Sequence, residues 1–397
     1  MKAAIESIGR LLSSGAPEGT EPMLKPCLAI CPYLPMREPV EFSGWWLGPL
    51  AFFKGPWASA EFEETSRLFI KGFEDVSGKK RVENPAILAR VDTGADGIVP
   101  PEEARRALAR TIHFGTLDAN PIWVPREKDP NLGLRMVTSD NSEVMFWPID
   151  TERGLVATRR GFYVQVSGMG MSVTDDCYRM RAPLELPEPA HAVRLDPEIL
   201  DACFEALSGP APAGKEEVAA RLGVAIDRYA TVFRNTESIS WDDRVVLLKV
   251  AFEALTNESK SWLAAKWVRG LFERVVKGEP AVTGMLWSPR ETERHAWEKS
   301  PGVAGTPLRT DLEDWFAAFA TARNEIIHEG RSKTLDYEKA GSAYEGPIIH
   351  TGERLFRETV RAVLADLGHG ELWRTRDSRS MQRIYREVKA KGEAEKK

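Results

Sequence analysis

Three residues in the stretch ARNEIIHEG, residues 322–330, are of types that can manage a phosphodiester. Arg323 carries a planar guanidinium, which grips phosphate oxygens through paired, charge-assisted hydrogen bonds. His328, one of only six histidines, carries the side chain whose proton exchanges most readily near neutral pH. Asn324 adds an amide that both donates and accepts. An anion grip with a proton carrier is half of what RNA cleavage requires. RNA brings its own nucleophile, the 2′-hydroxyl, so a catalyst must remove that proton, stabilise charge on a five-coordinate phosphorus and protonate the leaving 5′-oxygen.

The element that must position these groups is TDLEDWFAAFATARNEIIHEG, which reads as one amphipathic helix. Thr310 followed by Glu313 matches a capping box, and Gly330 suits the left-handed residue that ends many helices. Trp315, Phe319, Ala322 and Ile326 recur at spacings of four, three and four, with Phe316 and Ile327 widening the stripe toward a core. Arg323 falls at the edge of that stripe, and His328 is rotated from it by about 140° at ~100° per residue. His328 also lies near the negative end of the helix macrodipole, where a cation is favoured.

Spacing by itself does not single these residues out. Arg106 with His113 and Arg290 with His295 have similar separations. His113 is expected to close an N-terminal helix as a structural cap, and PRETERHAW lies inside a long connection, residues 279–307. What distinguishes Arg323 and His328 is the capped helix with a core stripe that carries them.

Two halves of different periodicity surround this helix, and together they predict an α+β chain. Up to residue 182, WWLGPLAFF, RLFIKGFEDV, ILARVDT, LGLRMVT, EVMFWPID and FYVQVSG are short, aromatic or β-branched, and bounded by turn residues. One helix, PPEEARRALARTIHF, interrupts these strands. Residues 183–197 read as a Pro-rich linker. From 198 to 370, PEILDACFEAL, EEVAARLGVAIDRYATVF, WDDRVVLLKVAFEAL, SWLAAKWVRGLFERVV, LEDWFAAFATARNEII and ERLFRETVRAVLADL carry apolar residues at helical spacing, which predicts an all-α bundle. Residues 371–397 form a basic tail with Arg374, Arg376, Arg379, Arg383 and Arg386, read as a solvated helix face or an RNA-steering segment.

RNEIIHEG resembles the Arg-Asn-x-x-x-His signature of HEPN domains, the higher eukaryote and prokaryote nucleotide-binding helical bundles. LLKVAFEALTN followed by SWLAAKWVRGLFE is similar to the paired helices that precede the signature in HEPN proteins of anti-phage defence. The resemblance covers residues from about 197 to 370. It implies a metal-independent endoribonuclease, a defence or toxin effector without a cofactor, that works as a homodimer on RNA and leaves a 2′,3′-cyclic phosphate. Arg323 and His328 match its catalytic pair, Asn324 the polar residue after the arginine, and Glu253 stands as a supporting carboxylate. Two copies about a twofold axis then bring two arginines and two histidines to one groove, one histidine as base and the other as acid. The alternative the resemblance leaves open is a noncatalytic dimerisation or nucleotide-binding module in a regulatory or defence complex. The strand-rich half, residues 1–182, is then a sensor or regulatory module for an activator or inhibitor of unknown chemistry.

Composition narrows the remaining classes. With 43% hydrophobic and 28% charged residues, the 397-residue chain can bury a core, and a net charge of -5 argues against nonspecific coating of nucleic acid. Four scattered cysteines make no disulfide framework; Cys27 and Cys31 read as buried thiols or, as a lone C-x-x-x-C, as zinc ligands. GMGMS, residues 168–172, lacks the Lys-Ser/Thr of a phosphate loop and reads as a strand turn. MKAAIESIGRLLSSG interrupts its apolar stretch with charges, and WWLGPLAFF is far shorter than the ~20 residues of a membrane span, so a cytoplasmic location without membrane contact is expected.

Overall fold

The structure is a computed structural model that describes residues 27–31, 34, 36–53, 73–74, 85–90, 102–118, 122–125, 134–137, 144, 147–150, 155–157, 163–165, 180–181, 195–232, 240–275, 311–330, 348–370 and 372. Its first half is built on an antiparallel sheet. Strands β1 (Cys27–Cys31), β2 (Val40–Phe42), β3 (Trp45–Pro49), β5 (Ala86–Arg90), β8 (Trp147–Asp150), β9 (Leu155–Ala157) and β10 (Tyr163–Gln165) pair in the order β10-β9-β8-β1-β5-β3-β2. Two smaller pairs lie outside it: a β6 (Ile122–Pro125) and β7 (Leu134–Val137) hairpin, and the parallel pair β4 (Phe73–Glu74) with β11 (Met180–Arg181). WWLGPLAFF is a strand only to Pro49, after which Leu50–Phe52 form a 3-10 turn.

Seven helices are described: α1 (Glu102–Asp118), α2 (Pro197–Ser208), α3 (Glu216–Val232), α4 (Trp241–Thr256), α5 (Ser261–Val275), α6 (Asp311–Glu329) and α7 (Ile348–Asp366). Local chemistry sets several of their ends. Asp196 accepts from the Glu198 amide at the start of α2, with Pro197 in the first turn where no amide is missed. Ser240 and Asp243 form a reciprocal capping box on α4, and Asn257, left-handed at φ 60°, ends it. Gly330 closes α6 at φ 76°, as its sequence position predicts. Thr310, the expected cap at the other end of α6, lies outside the described residues.

The helices share one core, and α1 and α2 take part in two. Ala107, Leu108 and Ile112 of α1 and Leu200 and Phe204 of α2 pack with sheet residues such as Trp45, Leu47 and Leu88. Phe114 and Leu117 of α1 and Ile199, Ala202 and Cys203 of α2 join the helical core. Polar contacts reinforce the junction: the Ser43 hydroxyl donates to Asp201 at 2.9 Å, and Arg361 of α7 pairs with the nearly buried Asp118 at 2.6 Å. The aromatic centre of the helices is Phe252, whose ring lies 5.8 Å from that of Trp315, 5.2 Å from Phe316 and 5.2 Å from Phe356.

Several expectations change against this frame. His113 sits inside α1 rather than at its end, and its Nε2 accepts from the Val144 amide at 3.2 Å. Ile327 is 46% exposed and not part of the core stripe, whereas Trp315, Phe316, Phe319 and Ala322 are fully buried. The reason is geometric: the stripe ends near Ile326, and one more residue turns the side chain outward by ~100°. Four of the expected features, the linker through residue 194, Arg290 with His295, the 168–172 turn and the 279–307 connection, lie outside the described residues. So does the basic tail except Leu372, which is buried. No described helix is long and apolar enough to cross a membrane.

Two consequences of this packing are measurable. A Cβ on Gly352 of α7 would meet Trp315 at 2.6 Å and Leu248 at 2.9 Å, so Gly352→Val should lower the unfolding free energy by about 1–3 kcal/mol in urea titrations; an unchanged midpoint would show that the helices are not in such close contact. Ser240→Ala should remove about 1 kcal/mol at neutral pH. The Ser240 hydroxyl and amide hold the Asp243 carboxyl below its usual range, so this stabilisation is present above the unfolded pKa and fades as pH falls through the lower folded value. The difference between wild type and variant should therefore shrink in acid; a constant difference would exclude the carboxylate from the cap.

Candidate functional site

Helices α4 and α6 run together and their facing residues open into a cleft of about 300 Å³. Helix α4 supplies Lys249 and Glu253, four positions apart and therefore on one face. Helix α6 supplies Ala320, Arg323 and Asn324, again one face of a helix. The rim is the α4–α5 connection and the first turn of α5, with Ser259, Lys260, Ser261 and Trp262. Arg323, Asn324 and Glu253, selected from sequence, are thus brought to one place.

The charges in this cleft do not cancel. Lys249, Lys260 and Arg323 face a single carboxylate, Glu253. Lys249 is 2% exposed, and its ammonium lies 3.0 Å from Glu253, whose side chain is 30% exposed. A cation held this far from water needs a counter-charge, which fixes Glu253 to the floor of the cleft. Arg323 is half-buried and donates from Nη1 to the Asn324 Oδ1 at 3.0 Å. That contact orients the guanidinium while neutralising none of its charge. The arrangement can hold a phosphate-sized anion against Arg323 and Lys249, with the Ser259 and Ser261 hydroxyls around it.

His328 does not line this cleft. It lies in the last turn of α6 and is exposed, ~7.5 Å further along the axis than Arg323 and about 140° around it. The exposed Ile327 is its neighbour. Arg323 and His328 therefore stand on different sides of the same helix.

Six cleft residues escape the sequence reading: Lys249, Ser259, Lys260, Ser261, Trp262 and Ala320. A signal for the first was present. Lys249 lies between Val245, Leu248 and Phe252 at core spacing and has Glu253 four residues on, a charge on an apolar face with its partner in register. Trp262 carried no such signal, and it is 59% exposed.

Cys31 and Cys203 are buried free thiols. Cys27 and Cys31 are the two ends of β1, ~13 Å apart at strand rise, too far for one zinc ion. The Cys31 thiol is buried and pushed well above its usual range by that burial, and burial raises Cys203 to about 12. Among the described residues no group of three or more His, Cys, Asp or Glu side chains is placed to hold a metal ion. Comparison with known protein families, with curated proteins and with solved structures finds no match to this chain.

The buried lysine yields a test that separates its two partners. Glu253→Ala leaves the Lys249 ammonium without its carboxylate and should destabilise the fold by about 2–3 kcal/mol, less than a fully buried pair because Glu253 is partly solvated. Lys249→Met, of similar length and apolar, should stay within about 1 kcal/mol of wild type. Thermal denaturation of both variants checks this; a larger loss for Lys249→Met would mean that the ion pair stabilises the fold by itself.

Proposed function

We propose that this chain is a metal-independent endoribonuclease of the HEPN type, a defence or toxin effector that cleaves RNA through a 2′,3′-cyclic phosphate. The observation that carries the reading is the gathering of Arg323, Asn324 and Glu253 with Lys249 in one cationic cleft on helices α4 and α6. In this reading Arg323 and Lys249 hold the scissile phosphate and stabilise the charge that grows on it, Asn324 keeps the guanidinium in place, and Glu253 keeps the ammonium charged and anchored. His328 transfers the proton. Because it sits away from the cleft of its own chain, a homodimer is part of the proposal, with α6 from each copy lining a shared groove; the exposed Ile327 beside His328 gives such a contact an apolar point. The sheet half is the proposed control module, and the Arg361–Asp118 pair is a direct link from it to the helices.

A second reading, a noncatalytic nucleotide-binding or dimerisation module, is favoured by one observation: the cations gather in the cleft without His328 among its lining residues. Incubation of the purified protein with RNA in EDTA separates the two. The nuclease should yield fragments ending in 2′,3′-cyclic phosphate, and His328→Ala or Arg323→Ala should slow cleavage by about 100-fold or more while leaving the melting temperature unchanged. Sedimentation should report a dimer. Cleavage at the wild-type rate by His328→Ala would remove the histidine from the chemistry, and inactivity of the wild type across diverse RNAs would leave the binding module.

A further inference from the structure

Trp262 is out of place for a packing residue. The buried face of α5 consists of Ala264, Ala265, Val268, Leu271 and Phe272, and Trp262 points roughly 120° from the centre of that face at ~100° per residue. With 59% of its surface exposed, it is an indole set on the rim of a cleft whose other residues, Ala320 apart, are polar or charged. Lys260 precedes it on the rim, and the exposed Lys266 follows one turn later on the same outer side. An exposed aromatic between cations, next to a phosphate-sized cleft, is the combination that binds single-stranded nucleic acid: cations track the backbone and the ring takes a base.

We infer that Trp262 is the stacking platform for one unpaired nucleobase of a single-stranded RNA, whose adjoining phosphate occupies the Arg323–Lys249 cleft. The inference rests on the reading of that cleft as an RNA site and adds the form of RNA it accepts. At about 300 Å³ the cleft is at the small end of ligand sites, with space for a single nucleotide's sugar and phosphate rather than a duplex groove. Bases inside a duplex are already stacked on their neighbours and present no free face to an indole, so unpaired loops and ends are selected. The face of every base is aromatic, so the platform ranks strand form above sequence. Lys260 acts differently: its charge attracts any phosphodiester backbone, with or without bases.

These contributions can be separated with probes that cannot be cleaved. An octamer of 2′-O-methyl RNA blocks the nucleophile, and the same sugar-phosphate chain without bases removes the stacking partner. In fluorescence anisotropy with the full-length protein, Trp262→Ala should weaken binding of the octamer about tenfold and leave binding of the base-free chain unchanged, whereas Trp262→Phe should restore most of the loss. Lys260→Ala should weaken both probes equally, with a shallower salt dependence. Equal affinity of wild type and Trp262→Ala, an equal loss on both probes, or a wild type that binds neither overturns the inference. Failure here is distinguishable from failure of the nuclease reading: a wild type that cleaves RNA while Trp262→Ala binds normally loses only the platform, and stacking in a protein that never cleaves loses only the chemistry.

Discussion

The contact on which the site depends is the ring of Phe252. It is fully buried, and the rings of Trp315, Phe316 and Phe356 close on it from α6 and α7. Glu253 follows it directly in α4, and Lys249 is one turn before. Where Phe252 fixes the separation of α4 and α6, it also fixes the distance between the charges the two helices project. Gly352 has the complementary role: without a side chain there, α7 approaches Trp315 closely enough to press it against Phe252 and Phe319, on which the indole stacks with centroids 4.6 Å apart. Interiors at this density do not deform gradually, so the cleft inherits its rigidity from the aromatic cluster beneath it.

The cleft sets a local field against the sign of the whole molecule. The chain is acidic overall, yet three cations and one carboxylate meet between α4 and α6. Counter-charge within the cleft is limited to Glu253, and that carboxylate is already engaged by the ammonium it keeps in place. An anion entering therefore finds Arg323 with its charge unspent, because its guanidinium donates to a neutral amide. Under the proposed function, this local cluster of cations lets a chain of net charge -5 hold RNA at one site without coating it.

What the sequence revealed follows from where its signals were strong. Helices α2 to α7 carry long apolar periods with caps or breakers at their ends, and their spans agree with the sequence reading to within a few residues except at the start of α7. The centre of the sheet was less visible. β1, CLAIC, lies between β5 and β8 and is central to the sheet, but five residues of small and sulfur-bearing side chains between two prolines do not alternate, and the cysteines drew attention to metal chemistry instead. In the site, Arg323, Asn324 and Glu253 were legible because each stands on a periodic helix beside apolar neighbours. Lys260 and Trp262 were not, because they lie at a helix start and become neighbours of Arg323 only when α5 folds back against α6.

The separation of Arg323 from His328 is itself a constraint on mechanism. Five residues along an α-helix turn a side chain by about 140°, and no rotamer of histidine crosses the width of a helix to reach the opposite face. Within one chain Arg323 and His328 therefore face different volumes of solvent. Two chains escape this limit when their α6 helices cross, because the outward face of each then looks onto the other's groove. Under the proposed function, assembly is then what completes the site: a lone chain holds RNA by Arg323 and Lys249 and leaves it intact. The sheet packs on α1 and α2, away from the cleft residues, so under the same proposal a ligand on the sheet acts on how two chains meet and not on the phosphate.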